Sequence, residues 1–337
     1  MFFYIPASPI LLKISLLNNM ESFIAKFLAI DRVPTFLPFE FVETEAQQLV
    51  LLQNTICDPI AQRYPSPISH RLDLLNSILR TCETKRIPVH ERVYEELVLA
   101  MNSKSESKQF FGIYKFSRKN ILFQVHGDSA AFVQNGSTGF VTWEAGKCLS
   151  WYLCTQRDLG GKSVLELGCG SGVSGIITSA HAKALERYIF TDYHELTLQQ
   201  AKSNWKLNFG NCLDAIREFR KVDIMNHAAE EFSVDLLVGA DILYDESLCV
   251  GLVELLESDS FRFGEALIFS TVRTEETFSK FIDLLNRSDI LRWKRIMSSP
   301  YSECINNVDD PDWKNFLNSS TQHFDPEIQL ICIEKRA

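Results

Sequence analysis

The sequence predicts an α/β protein: a doubly wound sheet of seven strands ending in an antiparallel hairpin, preceded by a small helical N-terminal domain. Three observations lead there. From Lys162 onward, short apolar runs alternate with amphipathic stretches, the pattern of repeated β-α-β units. The last two runs, Leu291–Met297 and Glu327–Glu334, show no helical pattern between them, so the second must return antiparallel to the first. The first run opens into glycines, in Ser163-Val-Leu-Glu-Leu-Gly-Cys-Gly-Ser-Gly-Val-Ser-Gly175, as a buried strand does when it passes through a tight loop into a helix.

Taken in order, the chain begins with a stretch, Met1 to Asn19, that has the look of a hydrophobic leader without its parts. There is no positive start, Lys13 interrupts the apolar run, and the length falls short of a membrane span. Met20 reads as an alternative start, which makes residues 1–19 an upstream extension. From residue 20 to 108 the pattern is helical. Phe23, Phe27 and Leu28, then Leu49, Leu52 and Ile56, then Leu72, Leu75, Ile78 and Leu79 recur at helical spacing, and Pro34, Pro38, Pro59, Pro65, Pro67 and Pro88 divide them into several helices. Ser103-Lys-Ser-Glu-Ser-Lys108 reads as a polar linker into a second domain at 109–337.

That domain opens with Phe111–Phe116 and Ile121–Val125 flanking a turn, a predicted β-hairpin, followed by Thr138-Gly-Phe-Val-Thr-Trp-Glu-Ala-Gly146 and an amphipathic helix through Leu149 and Leu153. Core strands are then predicted at Lys162–Gly168, Arg187–Asp192, Phe219–Ile224, Val234–Asp241 and Ala266–Val272. The intervening helices fall at Gly172–Lys183, His194–Asn208, Ser247–Leu256 and Glu275–Asn286. The polar segment Ser298–Asp325, rich in Asn, Asp and Ser, reads as a flexible lid or surface loop.

Composition narrows the function. A formal net charge of -9 disfavours a protein that grips phosphate backbone, so no direct nucleic-acid binding is expected, and a protein or small-molecule substrate is favoured. The nine cysteines have neither C-x-x-C nor zinc spacing and read as reduced thiols of a cytoplasmic protein. None of the seven histidines belongs to a ligand cluster, so no metal is expected, and His194 reads as a helix-start residue.

The chemistry gathers at the carboxyl ends of the strands. The glycine loop lets backbone approach a ligand at a helix N-terminus, and Asp192, ending the next strand, is placed to accept both hydroxyls of a ribose. Gly170-Ser-Gly-Val-Ser-Gly175 also fits the dinucleotide fingerprint G-x-G-x-x-G, so the nucleoside is not settled by glycines. Glu166 separates the two: a carboxylate just before the first glycine favours an ammonium group, as on S-adenosylmethionine, and repels a pyrophosphate, as on NAD. Asp241 and Tyr244 emerge at the same edge after the fourth strand, where a carboxylate orients an incoming amine and an aromatic ring walls a channel; capping and packing are the structural alternatives for the two.

With these residues in view, the chain resembles the class I, seven-stranded methyltransferases that carry a D-x-x-Y motif after the fourth strand, here Asp241-Ile-Leu-Tyr244, and that modify lysine and sometimes histidine on proteins. Thr138–Glu144, Val164–Gly170, Tyr188–His194 and Ala240–Tyr244, with the helical N-terminal domain, look most like the branch acting on elongation factor 2. The resemblance implies S-adenosylmethionine as cofactor, contacted by Trp143, Gly168, Cys169, Gly170 and Ala240 with Asp192 at the ribose, and a lysine of elongation factor 2 as the acceptor. It also implies an acidic residue and a Trp after the third strand. Here Val222-Asp-Ile-Met225 supplies Asp223 for the adenine amino group and no Trp, leaving Ile224 as an aliphatic contact. The rival readings are another protein or small-molecule acceptor on the same scaffold, a cofactor-binding partner module without turnover, and a dehydrogenase.

Overall fold

The computed structural model describes residues 9–103, 109–125, 139–210, 217–226, 231–319 and 325–336. Residues 104–108 of the predicted Ser103–Lys108 linker, residues 1–8 of the predicted extension and Thr138 lie outside them. The chain forms two compact units, residues 1–115 with 124–129, and residues 116–123 with 130–337.

The first unit is built from α1 (Pro9–Leu28), a short 3-10 turn at Phe39–Phe41, α2 (Glu45–Gln53), α3 (Pro59–Arg63), α4 (Ile68–Lys85), α5 (Glu91–Asn102) and β1 (Phe110–Tyr114). α1 runs through Met20 without a break. The helix starts are written locally. Thr44 and Gln47 form a reciprocal capping box on α2, and Asp58 accepts from Ile60 N–H at the head of α3, with Pro59 in the first turn. Phe27, Leu51, Leu52, Leu74, Leu75, Ile78 and Val93 make the core. Gln48, fully buried among them, donates to Val42 O and Pro88 O and accepts from His90 N–H, so its polar atoms are satisfied where water cannot reach.

The second unit carries the sheet. After β2 (Ile121–Val125) come α6 (Glu144–Thr155), β3 (Ser163–Leu167), α7 (Val173–His181), β4 (Arg187–Asp192), α8 (Glu195–Phe209), β5 (Arg217–Lys221) and β6 (Phe232–Ala240). α9 (Glu246–Glu257), β7 (Phe261–Thr271), α10 (Glu275–Arg287), β8 (Leu291–Pro300), α11 (Tyr301–Asn306), α12 (Pro311–Asn318) and β9 (Glu327–Lys335) complete it. The strand order is β5-β4-β3-β6-β7-β9-β8, with the first five parallel and β9 antiparallel to both neighbours. This is the predicted seven-stranded, doubly wound class I sheet with its closing hairpin. One side of the sheet packs Leu165, Leu167, Leu237, Ile268 and Ile331 against α9 and α10 through Leu252, Leu256, Phe278 and Phe281.

Two expectations are corrected. The third core strand was predicted at Phe219–Ile224 and lies at Arg217–Lys221. The Asp223 carboxylate accepts the Met225 N–H at 2.9 Å, a local turn that competes with continued strand and ends it at Lys221. The described part of Ser298–Asp325, up to Ser319, is not the predicted loop: β8 continues to Pro300 and two helices follow. Asp310 caps α12 by accepting from Asp312 and Trp313 N–H, while Trp313, Phe316, Leu317, Tyr301 and Cys304 are buried. Buried Lys147 of α6 donates to the Ser319 carbonyl at the end of α12, which ties this segment to the sheet domain.

Candidate active site

Topology places the site. β3 and β6 lie side by side, with Leu167 level with Gly239, and from this pair the chain winds outward in opposite directions. The loops that follow the two strands therefore diverge and leave a crevice at their carboxyl ends. A cavity of about 600 Å³ fills it, and Trp143, Glu166, Gly168, Cys169, Gly170, Asp192, Asp223, Ala240, Asp241 and Tyr244 all line it.

The glycine loop forms its floor. Gly168 and Gly170 adopt φ of +63° and +55°, and a Cβ on Gly170 would lie 2.8 Å from the Gly139 carbonyl oxygen, a backbone atom that cannot step aside. Cys169 N–H donates to Thr191 O at 2.8 Å and Gly170 N–H donates to Asp192 Oδ2 at 3.0 Å, locking the loop to the end of β4. Asp192 Oδ1 accepts the His194 N–H, so this carboxylate is held by backbone on both oxygens and retains further lone pairs for the cavity. Burial pushes its carboxyl above the ordinary range, against those two hydrogen bonds. Burial likewise pushes the Cys169 thiol well up, leaving it a neutral, unreactive wall.

Glu166 stands on β3 just before the loop, 2% exposed, and accepts the Tyr188 hydroxyl at 2.9 Å. Desolvation raises its carboxyl to about 8, with the nearby Asp192 adding to the rise and the Tyr188 and Ser174 hydroxyls opposing it. Across the crevice, Asp241 follows β6 with φ of +53°, a left-handed conformation that Asp tolerates better than most side chains. Its Oδ1 accepts Thr271 N–H at 2.7 Å and its Oδ2 accepts the Thr271 hydroxyl at 3.0 Å. Burial raises the Asp241 carboxyl, while the Thr271 donors and the Arg273 guanidinium hold it down. The same guanidinium lies 4.4 Å from the centre of the Trp143 ring, which heads α6.

Tyr244 is 65% exposed at the cavity's edge, and Asp245, one residue further, caps α9 by accepting Ser247 N–H. The capping role open to an aspartate in this loop is thus Asp245's, and Asp241 points elsewhere. Sequence reasoning did not single out Thr142, Tyr193 or Met225, which also line the cavity, nor Thr271 and Arg273, which hold Asp241 and Trp143. His194 occupies the predicted helix-start position and lines the cavity as well.

The described lining contains five carboxylates, Glu166, Asp192, Asp223, Asp241 and Asp245, and no lysine or arginine. Such a wall suits a ligand bearing a sulfonium and an ammonium and opposes a pyrophosphate, which fits S-adenosylmethionine and disfavours NAD. Among the described residues no group of three metal-ligating side chains is present, and no helix is long and apolar enough to cross a membrane.

Comparison with known proteins agrees with this chemistry. A family model described as lysine methyltransferase matches residues 130–288. The protein-lysine N-methyltransferase EEF2KMT of Mus musculus is 25% identical over 300 residues, covering 82% of this chain and 88% of its own. The human protein of the same name is 25% identical over 300 residues, covering 82% and 89%. Protein-lysine N-methyltransferase EFM3 of Saccharomyces cerevisiae is 25% identical over 229 residues, covering 60% of this chain and 64% of its own. The chain is similar to lysine methyltransferases through this family model and these relatives, and it is an S-adenosylmethionine-dependent protein-lysine N-methyltransferase.

Proposed function

We propose that this enzyme methylates the ε-amine of a lysine on elongation factor 2, in the cytoplasm. The observation that carries the reading is the similarity to EEF2KMT along 82% of the chain, a share too large to lie within the sheet unit alone. We assign the chemistry to residues 109–337 and an accessory role to the helical domain at 20–108.

When bound, S-adenosylmethionine would supply a sulfonium methyl group to a neutral amine, the C–N bond forming as the C–S bond breaks, with S-adenosylhomocysteine as the leaving group. Glu166 would take its ammonium group, Asp192 its ribose hydroxyls and Asp223 its adenine amino group, with Trp143, Gly168, Cys169, Gly170 and Ala240 making the remaining contacts. On the acceptor side, the first requirement is loss of a proton, since a free lysine titrates near ~10.4. The positive charge of a bound sulfonium would disfavour the ammonium form beside it, against the pull of the acidic wall, and Asp241 accepts a hydrogen bond from the amine and fixes the direction of its lone pair. A carboxylate in this pH range is too weak a base to hold the proton, which leaves to water. Tyr244 closes the side of the lysine channel.

The test incubates purified protein with purified elongation factor 2 and methyl-labelled S-adenosylmethionine, and maps the label by mass spectrometry. We expect label on a lysine of the factor and none with Asp241→Ala. An unlabelled factor beside a labelled second protein in cell extract would discard this acceptor and keep the chemistry.

A further inference from the structure

Asp241 is not held in place by its own element. Its backbone sits in the left-handed region at φ +53°, and its N–H is bonded to Phe269 O, so the residue is pinned across to β7 before its side chain is considered. Both carboxylate oxygens then meet a single partner, Thr271 at the end of β7, through the amide at 2.7 Å and the hydroxyl at 3.0 Å. Thr271 is 7% exposed and does not line the cavity, whereas Asp241 does. A carboxylate offers about four acceptor sites, so two remain for the cavity side while the other two set its rotamer.

We propose that Thr271 is a positioning residue for methyl transfer, fixing the Asp241 carboxylate in the one orientation that presents its open lone pairs to the acceptor amine. This rests on the reading of Asp241 as the amine's acceptor. The amide bond alone would leave the carboxylate free to swing about one contact; the hydroxyl supplies the second point that removes that freedom. It also stabilises the ionised form in a site where burial opposes ionisation. The other groups that bear on this carboxylate are Arg273 beyond β7, which favours its charge, and Glu144 and Cys148 on α6, Glu144 disfavouring it.

The experiment compares kcat and its pH profile for wild type, Thr271→Val, Thr271→Ser and Asp241→Asn, with affinity for S-adenosylhomocysteine measured on each. Valine keeps the volume and the amide bond and removes only the hydroxyl. We expect Thr271→Val to lower kcat about tenfold, the scale of one hydrogen bond to a charged group, with cofactor-product affinity nearly unchanged. Its acid limb should move to higher pH, because the carboxyl has lost a donor that held its titration down. Thr271→Ser should restore both rate and limb. A wild-type rate and limb in Thr271→Val beside an impaired Asp241→Asn would overturn the role of Thr271 alone. Parallel loss of affinity, rate and folding in both threonine variants would reduce it to a structural residue and overturn the proposal too. A wild-type rate in Asp241→Asn at every pH would instead remove the reading of Asp241 on which the proposal stands.

Discussion

Glu166 is a buried acid whose carboxyl is held up to about 8 from an ordinary 4.5, chiefly by loss of water. With the pocket empty at neutral pH it is mostly protonated; opposite a bound ammonium it must be ionised. S-adenosylmethionine binding at pH 7 should therefore release close to one proton, and affinity should rise as pH climbs toward 8. Titration calorimetry in two buffers of unlike ionisation enthalpy reads that proton, and Glu166→Gln should abolish its release. The linked effect on the cofactor-free fold has the opposite sign. A carboxyl raised on folding binds more protons in the native than in the unfolded chain between about 4.5 and about 8, so this group's stabilising contribution falls as pH rises through that window. Glu166, Asp192 and Asp241 were legible because their place at strand ends follows from the chain pattern. Thr271 and Arg273 were not, because their relation to Asp241 and Trp143 depends on β7 lying beside β6, a lateral neighbour that linear spacing does not disclose.

At the scale of elements, the Asn, Asp and Ser content of Ser298–Asp325 points to a loop, yet Trp313, Phe316 and Leu317 stand at helical spacing, and Asp310-Pro311 is a helix-start pair. Composition outweighed periodicity in a segment where the apolar residues are few but large. Trp313 packs edge-on against Phe116 at 5.1 Å and Phe316 at 5.9 Å, so its removal opens a cavity at the centre of an aromatic cluster. Trp313→Ala should cost about 3–5 kcal/mol of stability, read as a lowered midpoint in thermal unfolding. The intact protein should resist a broad-specificity protease within Tyr301–Asn318; prompt cleavage there would contradict the packed helices. The Asp223 turn is the same lesson at smaller size. Val222 and Ile224 made the third strand look longer, and a single side-chain hydrogen bond ended it.

Over the whole molecule, the doubly wound sheet and its closing antiparallel hairpin were legible from the alternation of strands and helices, because β-α-β units leave few ways to wind. That winding puts the glycine loop, Asp192 and the D-x-x-Y segment around one opening. The charge of the site is a property of this convergence: five acidic side chains from the ends of four strands and the segments that follow them line a cavity with no lysine or arginine among its described walls. The sulfonium and ammonium of the cofactor and a cationic side chain are drawn to such a well, and a net charge of -9 on the chain adds to that attraction. The measurement that tests the account most directly is the chemical identity of the methylated product. The protein is incubated with methyl-labelled S-adenosylmethionine and an extract of protein acceptors, the protein fraction is hydrolysed, and the labelled amino acid is identified. The account predicts ε-N-methylated lysine, absent when Asp241→Ala replaces the wild type. Label in methylhistidine or methylglutamine, or label confined to small molecules, would contradict it.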